Sequence, residues 1–162
     1  MRRTGSDVQL VVGEGTDGQS VPRLAQELEI QDYVRFLGFA PDDDVRFWYN
    51  TCTMFAMPSL SWRQEGFGMV GMEAMACGTP TVVSSMVGAV DDVREYDAAL
   101  IVPPSDHLAL ARAMGELLVD ADRRRELGEN GRRLIIERYT WERVGEQTLE
   151  LYRSLLPKGA RA

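Results

Sequence analysis

Residues 65–83 read EGFGMVGMEAMACGTPTVV, and this stretch decides the fold. A carboxylate, Glu65, precedes a turn bracketed by Gly66 and Gly68. A helix of small and apolar residues is expected over about residues 67–76, and Gly78 ends it. Thr79 and Pro80 then lead into the run Thr81, Val82, Val83, which reads as a strand. That order gathers a helix N-terminus, two acids (Glu65 and Glu73) and a strand start around one point. Unpaired N–H groups and the helix dipole make such an N-terminus a site for phosphate. Carboxylates do not bind phosphate, but they accept hydrogen bonds from sugar hydroxyls. Phosphate and sugar together describe a nucleotide-sugar ligand.

Working outward, strands and helices alternate. Short apolar runs predict strands at residues 8–12, 33–37, 53–57, 80–84 and 98–102. Helices are expected from Pro22 to about residue 29, with Leu24, Ala25 and Leu28 on one face, and from the acids after Pro41 to about residue 50. Residues 59–66 read as a loop, and a short helical turn is expected near Asp91. The remainder is helical. Ser105 is expected to cap a helix to about residue 119, and Thr140 one to about residue 156. Between them, Gly128 and Gly131 should interrupt or soften a helix over residues 122–138. Continuous apolar strands alternating with helices give an α/β fold, a Rossmann-like parallel sheet with helices on both faces. Ligands of such sheets sit beyond the carboxyl ends of the strands.

The chain of 162 residues is expected to be one domain with a real core. Its net charge of −7 argues against a nucleic-acid partner, whose binding is led by positive charge. Cys52 and Cys77 lie in apolar contexts without metal spacing and read as buried thiols. That fits a reducing compartment and predicts a cytoplasmic location. No signal peptide is evident, and no apolar run approaches the roughly 20 residues of a membrane helix.

Each candidate residue has a plain alternative. Gly13, Gly15 and Gly18 match G-x-G-x-x-G after a strand. The supporting acid is missing from the end of the next strand, at Leu37-Gly38, so a nicotinamide-dependent oxidoreductase is the weakest reading. The loop brings backbone near a ligand or is simply a tight turn. Glu65 alone would be an acid favouring a helix start, and Glu73 alone a solvated glutamate. Their surroundings shift the balance: Met72, Ala74, Met75 and Ala76 make the helix mostly apolar, which predicts a half-buried Glu73 in need of partners. Arg63 could neutralise diphosphate, or be an exposed loop residue. His107 reads as solvated, and the run Arg123, Arg124, Arg125 as a solvated helix face. There is no Ser-His-Asp set and no Cys/His metal cluster.

Nearly the whole chain resembles the C-terminal domain of the group-1 glycosyltransferases, the retaining enzymes of family four with the GT-B fold. The resembling stretches are VQLVVGEG, VRFLGF, FAMPSL, EGFGMVGMEAMACGTPTVVSS, LIVPPSD and YTWERV. The resemblance implies one half of a two-domain enzyme, a fragment of residues 1–162 that lacks the acceptor domain and the first strand–helix unit. Glu73 then matches the glutamate on the ribose hydroxyls, and Glu65 the catalytic glutamate near the donor sugar. Gly66, Phe67, Gly68, Met69 and Val70 match the turn and helix start that hold diphosphate and sugar. Gly13 and Gly15 match the loop beside the nucleotide, and Leu37 and Gly38 the segment flanking the base. The donor would be a UDP-, GDP- or ADP-sugar, transferred with retention and without an obligatory metal or other cofactor. The acceptor would be a glycan, lipid or small molecule, with any membrane contact made through the other domain. The Arg and Lys that the family places in the first strand–helix unit have no counterpart here. Two glycine positions also differ, at Met86-Val87-Gly88-Ala89-Val90 and at Tyr96-Asp97-Ala98-Ala99, which touches donor selectivity more than fold. The alternative is a non-catalytic Rossmann-like subunit that needs a partner chain to complete a cleft.

Overall fold

A computed structural model describes residues 8–13 and 20–156. The chain divides into two compact units, residues 1–46 and 47–162. In the first, β1 (Leu10–Gly13) pairs in parallel with β2 (Val34–Gly38). Between them lie α1 (Ser20–Glu27) and a 3-10 turn (Gln31–Tyr33). Helix α1 begins two residues before Pro22, which falls in the first turn, where its missing N–H is not needed. Ala25 is buried on it, whereas Leu24 and Leu28 are exposed. Gly15 and Gly18 lie outside the described residues. Helix α2 (Asp42–Thr51) opens on three acids, Asp42, Asp43 and Asp44, at the positive end of its dipole.

The second unit is built on three parallel strands in the order β3 (Phe55–Met57), β4 (Thr81–Ser84), β5 (Leu100–Val102). The central strand pairs Met57 with Val83 on one side and Val82 with Leu100 on the other. All four β4 residues are buried, as a strand covered on both faces requires. The two-residue period of the strand sends neighbouring valines to opposite faces. Val83 joins Met57, Met72, Met75, Val93 and Leu134 in one core. Val82 joins Val102, Ala113, Leu117 and Leu127 in the other. Each fully buried valine or leucine contributes roughly 1.5–3 kcal/mol relative to exposure.

Helices fill the connections: α3 (Trp62–Glu65) and α4 (Met69–Ala76) between β3 and β4, and α5 (Val90–Glu95) between β4 and β5. Then come α6 (His107–Val119), α7 (Ala121–Arg138) and α8 (Trp141–Leu155). Three expectations change here. The segment 59–66 is not all loop, since Trp62–Glu65 forms one helical turn closed by Gly66 N–H on the Trp62 carbonyl at 2.9 Å. A single turn is too short to show a periodicity. Asp106, not Ser105, caps α6, its carboxylate accepting from Ala109 N–H at 2.8 Å. Ser105 has φ +60 instead. Helix α7 also runs unbroken through Gly128 and Gly131. A Cβ on Gly128 would stand 2.2 Å from the Gly78 carbonyl oxygen, and one on Gly131 3.1 Å from Met75 Cγ. The glycines therefore let α7 press against α4 and its exit turn, and this contact offsets their poor helix propensity. Thr140 caps α8 as expected, accepting from Arg143 N–H.

Among the described residues, no helix is long and apolar enough to cross a membrane.

Candidate functional site

The site grows from the carboxyl end of β3. The chain leaves Met57, forms α3, turns through Gly66 and Gly68, and enters α4. Helix α4 starts at Met69 rather than at Phe67, because Gly68 is left-handed at φ +88 and serves as its N-cap. A side chain at Gly68 would meet Met57 Cε at 3.0 Å and Val87 at 3.3 Å, so the turn sits tightly on the core. Gly66 has φ +60, and its carbonyl accepts from Gly88 N–H at 2.9 Å. A Cβ on Gly88 would lie 2.8 Å from that carbonyl oxygen, so only glycine allows the approach. The loop after β4 thus clamps the turn before α4. No side chain caps α4, and its first turn carries no acid, which suits that end to an external anion.

Glu65 closes α3 and is half-buried. Its Oε2 accepts from the Ser59 hydroxyl at 2.6 Å. The Ser59 carbonyl accepts from the buried Ser84 hydroxyl at 2.7 Å, and Ser84 Oγ accepts from Met86 N–H at 3.2 Å. This relay ties Glu65 to the end of β4.

Glu73 is exposed, not half-buried. At about 100° per residue it falls on the outward stripe of α4 with Met69, Val70 and Ala76, while Gly71, Met72, Ala74 and Met75 face the core. Helical side chains lean toward the N-terminus, so its carboxylate points toward the uncapped end, about one turn away. It has a partner that the sequence reading missed. The Tyr49 hydroxyl donates to Glu73 Oε2 at 3.3 Å. Burial, reinforced by the Glu73 carboxylate, raises the Tyr49 pKa and keeps the phenol a donor. The available signal was the stripe Val45, Trp48 and Tyr49 on α2, continued by Cys52 just past its end, at i, i+3, i+4 and i+7, which puts Tyr49 on the inward face.

Phe67 packs edge-on against Tyr139, with ring centroids 5.2 Å apart. The Tyr139 hydroxyl donates to Asp92, and Arg138 bridges Asp92 and Glu95 at 2.8 and 2.7 Å. Burial, then Asp92, raises the Tyr139 pKa.

The other candidates divide. Gly13 and Gly38 end adjacent strands of the first unit and are in register, with Leu37 half-buried beside them. Arg63 is exposed, its guanidinium 5.5 Å from the Trp62 ring centroid. His107 is exposed at the start of α6. Cys52 and Cys77 are free and only half-buried, because both lie at the ends of helices rather than inside the core. Arg123 departs from the solvated-face expectation. It is largely covered and grips both Asp97 oxygens at 2.7 and 2.9 Å. Among the described residues, no group of three or more His, Cys, Asp or Glu side chains could hold a metal ion.

The family model described as glycosyl transferases group 1 matches residues 2–134. The D-inositol 3-phosphate glycosyltransferase of Corynebacterium urealyticum is 36% identical over 154 residues, covering 91% of this chain and 35% of that protein. The chain thus spans about a third of the length of such curated relatives. Among solved structures, the sucrose-phosphate synthase of Thermosynechococcus elongatus superposes with a TM-score of 0.79 at 35% identity, covering 91% of this chain and 38% of that one. HepE of Anabaena in complex with UDP-glucose gives 0.79 at 25% identity, covering 91% and 41%. The chain belongs to the group-1 glycosyltransferases, and its α/β fold is that of the C-terminal domain in their GT-B architecture.

Proposed function

We propose that residues 1–162 form one donor-binding domain of a retaining glycosyltransferase, which holds a UDP-, GDP- or ADP-sugar. The observation that carries this reading is the uncapped, glycine-clamped start of α4, with Glu65 and Glu73 tethered on either side of it. The amides of Phe67, Met69 and Val70 meet the diphosphate. As the bond from the anomeric carbon to the phosphate oxygen breaks, charge builds on the departing nucleoside diphosphate. A dipole already aimed there stabilises that charge without reorganising. Glu73 accepts from the ribose hydroxyls, and Glu65 lies beside the donor sugar. The glycosyl group passes to an acceptor hydroxyl held by the other half of the enzyme, and the acceptor proton leaves with the diphosphate. The acceptor is a glycan, lipid or small molecule, and no metal takes part. HepE, a solved structure at 25% identity, was captured with UDP-glucose, which supports a nucleotide sugar as the ligand. The half-buried free thiols fit a cytoplasmic enzyme.

Calorimetric titration of the chain with UDP, GDP and ADP and their sugars tests this. One nucleotide series should bind, and excess EDTA should leave its Kd unchanged. Glu73→Ala removes charge-assisted hydrogen bonds worth about 1.5–3 kcal/mol, a loss of roughly 10- to 150-fold. A well-folded chain that binds no nucleotide would refute the reading.

A further inference from the structure

An exposed glutamate on a helix has several rotamers open to it, and a site that must accept two adjacent hydroxyls needs one of them. Glu73 has a single protein partner among the described residues, and that partner stands on another helix. We propose that Tyr49 is a positioning residue of the donor site, its phenol holding the Glu73 carboxylate in the orientation that receives the vicinal diol of a ribose. The proposal rests on the donor-site reading of Glu73.

Three features make Tyr49 fit this role. It is rigid: only 8% exposed, with its ring edge-on against Phe55 at 5.4 Å. It is tied to the helix it serves, because its carbonyl accepts from the Thr79 hydroxyl at 2.5 Å, and Thr79 N–H donates to the Ala74 carbonyl of α4 at 3.1 Å. Phenol and carboxylate therefore belong to one cross-linked piece. The contact also divides the carboxylate usefully. Tyr49 takes Oε2, and Oε1 has no partner among the described residues, which leaves it to the ribose. At 3.3 Å the bond is longer than a strong hydroxyl–carboxylate contact, so it sets direction more than it adds affinity.

A phenol that merely needed a partner would give the same picture, and a double-mutant cycle separates the two. Tyr49→Phe, Glu73→Gln and the double variant are titrated with the nucleoside diphosphate that the wild-type chain binds, and with its 2′,3′-dideoxy counterpart. Thermal melts confirm that each variant is folded. Tyr49→Phe should weaken the ribonucleotide about three- to tenfold and the dideoxy form less than about twofold. In the Glu73→Gln background it should add nothing. Equal losses for both nucleotides, additive losses in the double variant, or no loss would each overturn the proposal. If Glu73→Gln itself binds as wild type, the donor-site reading fails first, and this proposal falls with it.

Discussion

Gly128 and Gly115 both lie inside helices, and replacing each with alanine should have opposite effects. Helix propensity alone predicts a gain of about 1 kcal/mol at either position. At Gly115, in α6, a Cβ meets nothing within 4 Å, so the gain should appear in full. At Gly128 the new Cβ would stand 2.2 Å from the Gly78 carbonyl oxygen and 3.2 Å from its carbon. The obstacle is backbone rather than a flexible side-chain tip, so α7 must lift by about 1 Å or more from a packed core. Overpacking of this kind costs about 1–3 kcal/mol, and a backbone clash belongs at the upper end. Subtracting the propensity gain leaves Gly128→Ala destabilised by about 2 kcal/mol. Near 3 °C per kcal/mol, melting should fall by about 6 °C in Gly128→Ala and rise by about 3 °C in Gly115→Ala. Urea titration followed by circular dichroism gives the same comparison isothermally, with m unchanged. A Gly128→Ala chain as stable as wild type, or more so, would refute the close contact between α7 and the turn at Gly78.

Gly68→Ala combines a left-handed φ of +88 with contacts of 3.0 Å to Met57 and 3.3 Å to Val87. It should lose about 1–3 kcal/mol in urea titration, and nucleotide affinity with it; retained stability would show that the turn has another backbone. The Arg123 guanidinium holds the Asp97 carboxyl below its ordinary range. A lowered folded-state pKa stabilises above the unfolded value near 4 and loses that contribution as pH falls through the folded value. Since Asp97 is 53% exposed, solvent screening limits the pair to about 0.5–1 kcal/mol. Urea midpoints of Arg123→Gln and wild type should therefore differ at pH 7 and converge below about pH 4; divergence in acid would reverse the sign of the argument.

What the sequence revealed followed from how local each signal is. Strand β4 was legible because Thr81, Val82 and Val83 form an unbroken β-branched run, the mark of a strand buried on both faces. Helix α4 and its glycine turn were legible from Gly66, Gly68 and Gly78. The caps at Thr140 and Asp106 differ instructively: both Ser105 and Asp106 are cap formers, and only the backbone at Ser105 decides between them. Burial on α4 was misjudged because its outward stripe includes Met69 and Val70, so apolar composition did not distinguish the wet side. Gly128 and Gly131 resemble helix breakers until Gly78 and Met75 are seen across from them. Tyr49 belongs to the same class. Its partner lies 24 residues away, and nothing in either segment names the other.

Helix α7 works as a splint along α4. Gly128 meets the turn leaving α4, Gly131 rests on Met75, and Tyr139, just past the end of α7, reaches Phe67 at the opposite end. The spacing of these three contacts must match the length of the shorter helix. One residue inserted in α7 between positions 132 and 137 would advance Tyr139 by about 1.5 Å and swing it by about 100°. Its ring would leave Phe67 while every residue of the EGFGMVGMEAMACGTP segment stayed in place. The setting of the glycine turn before α4 thus resides partly in a downstream ruler, and chimeras that exchange α7 must preserve its count from Gly128 to Tyr139.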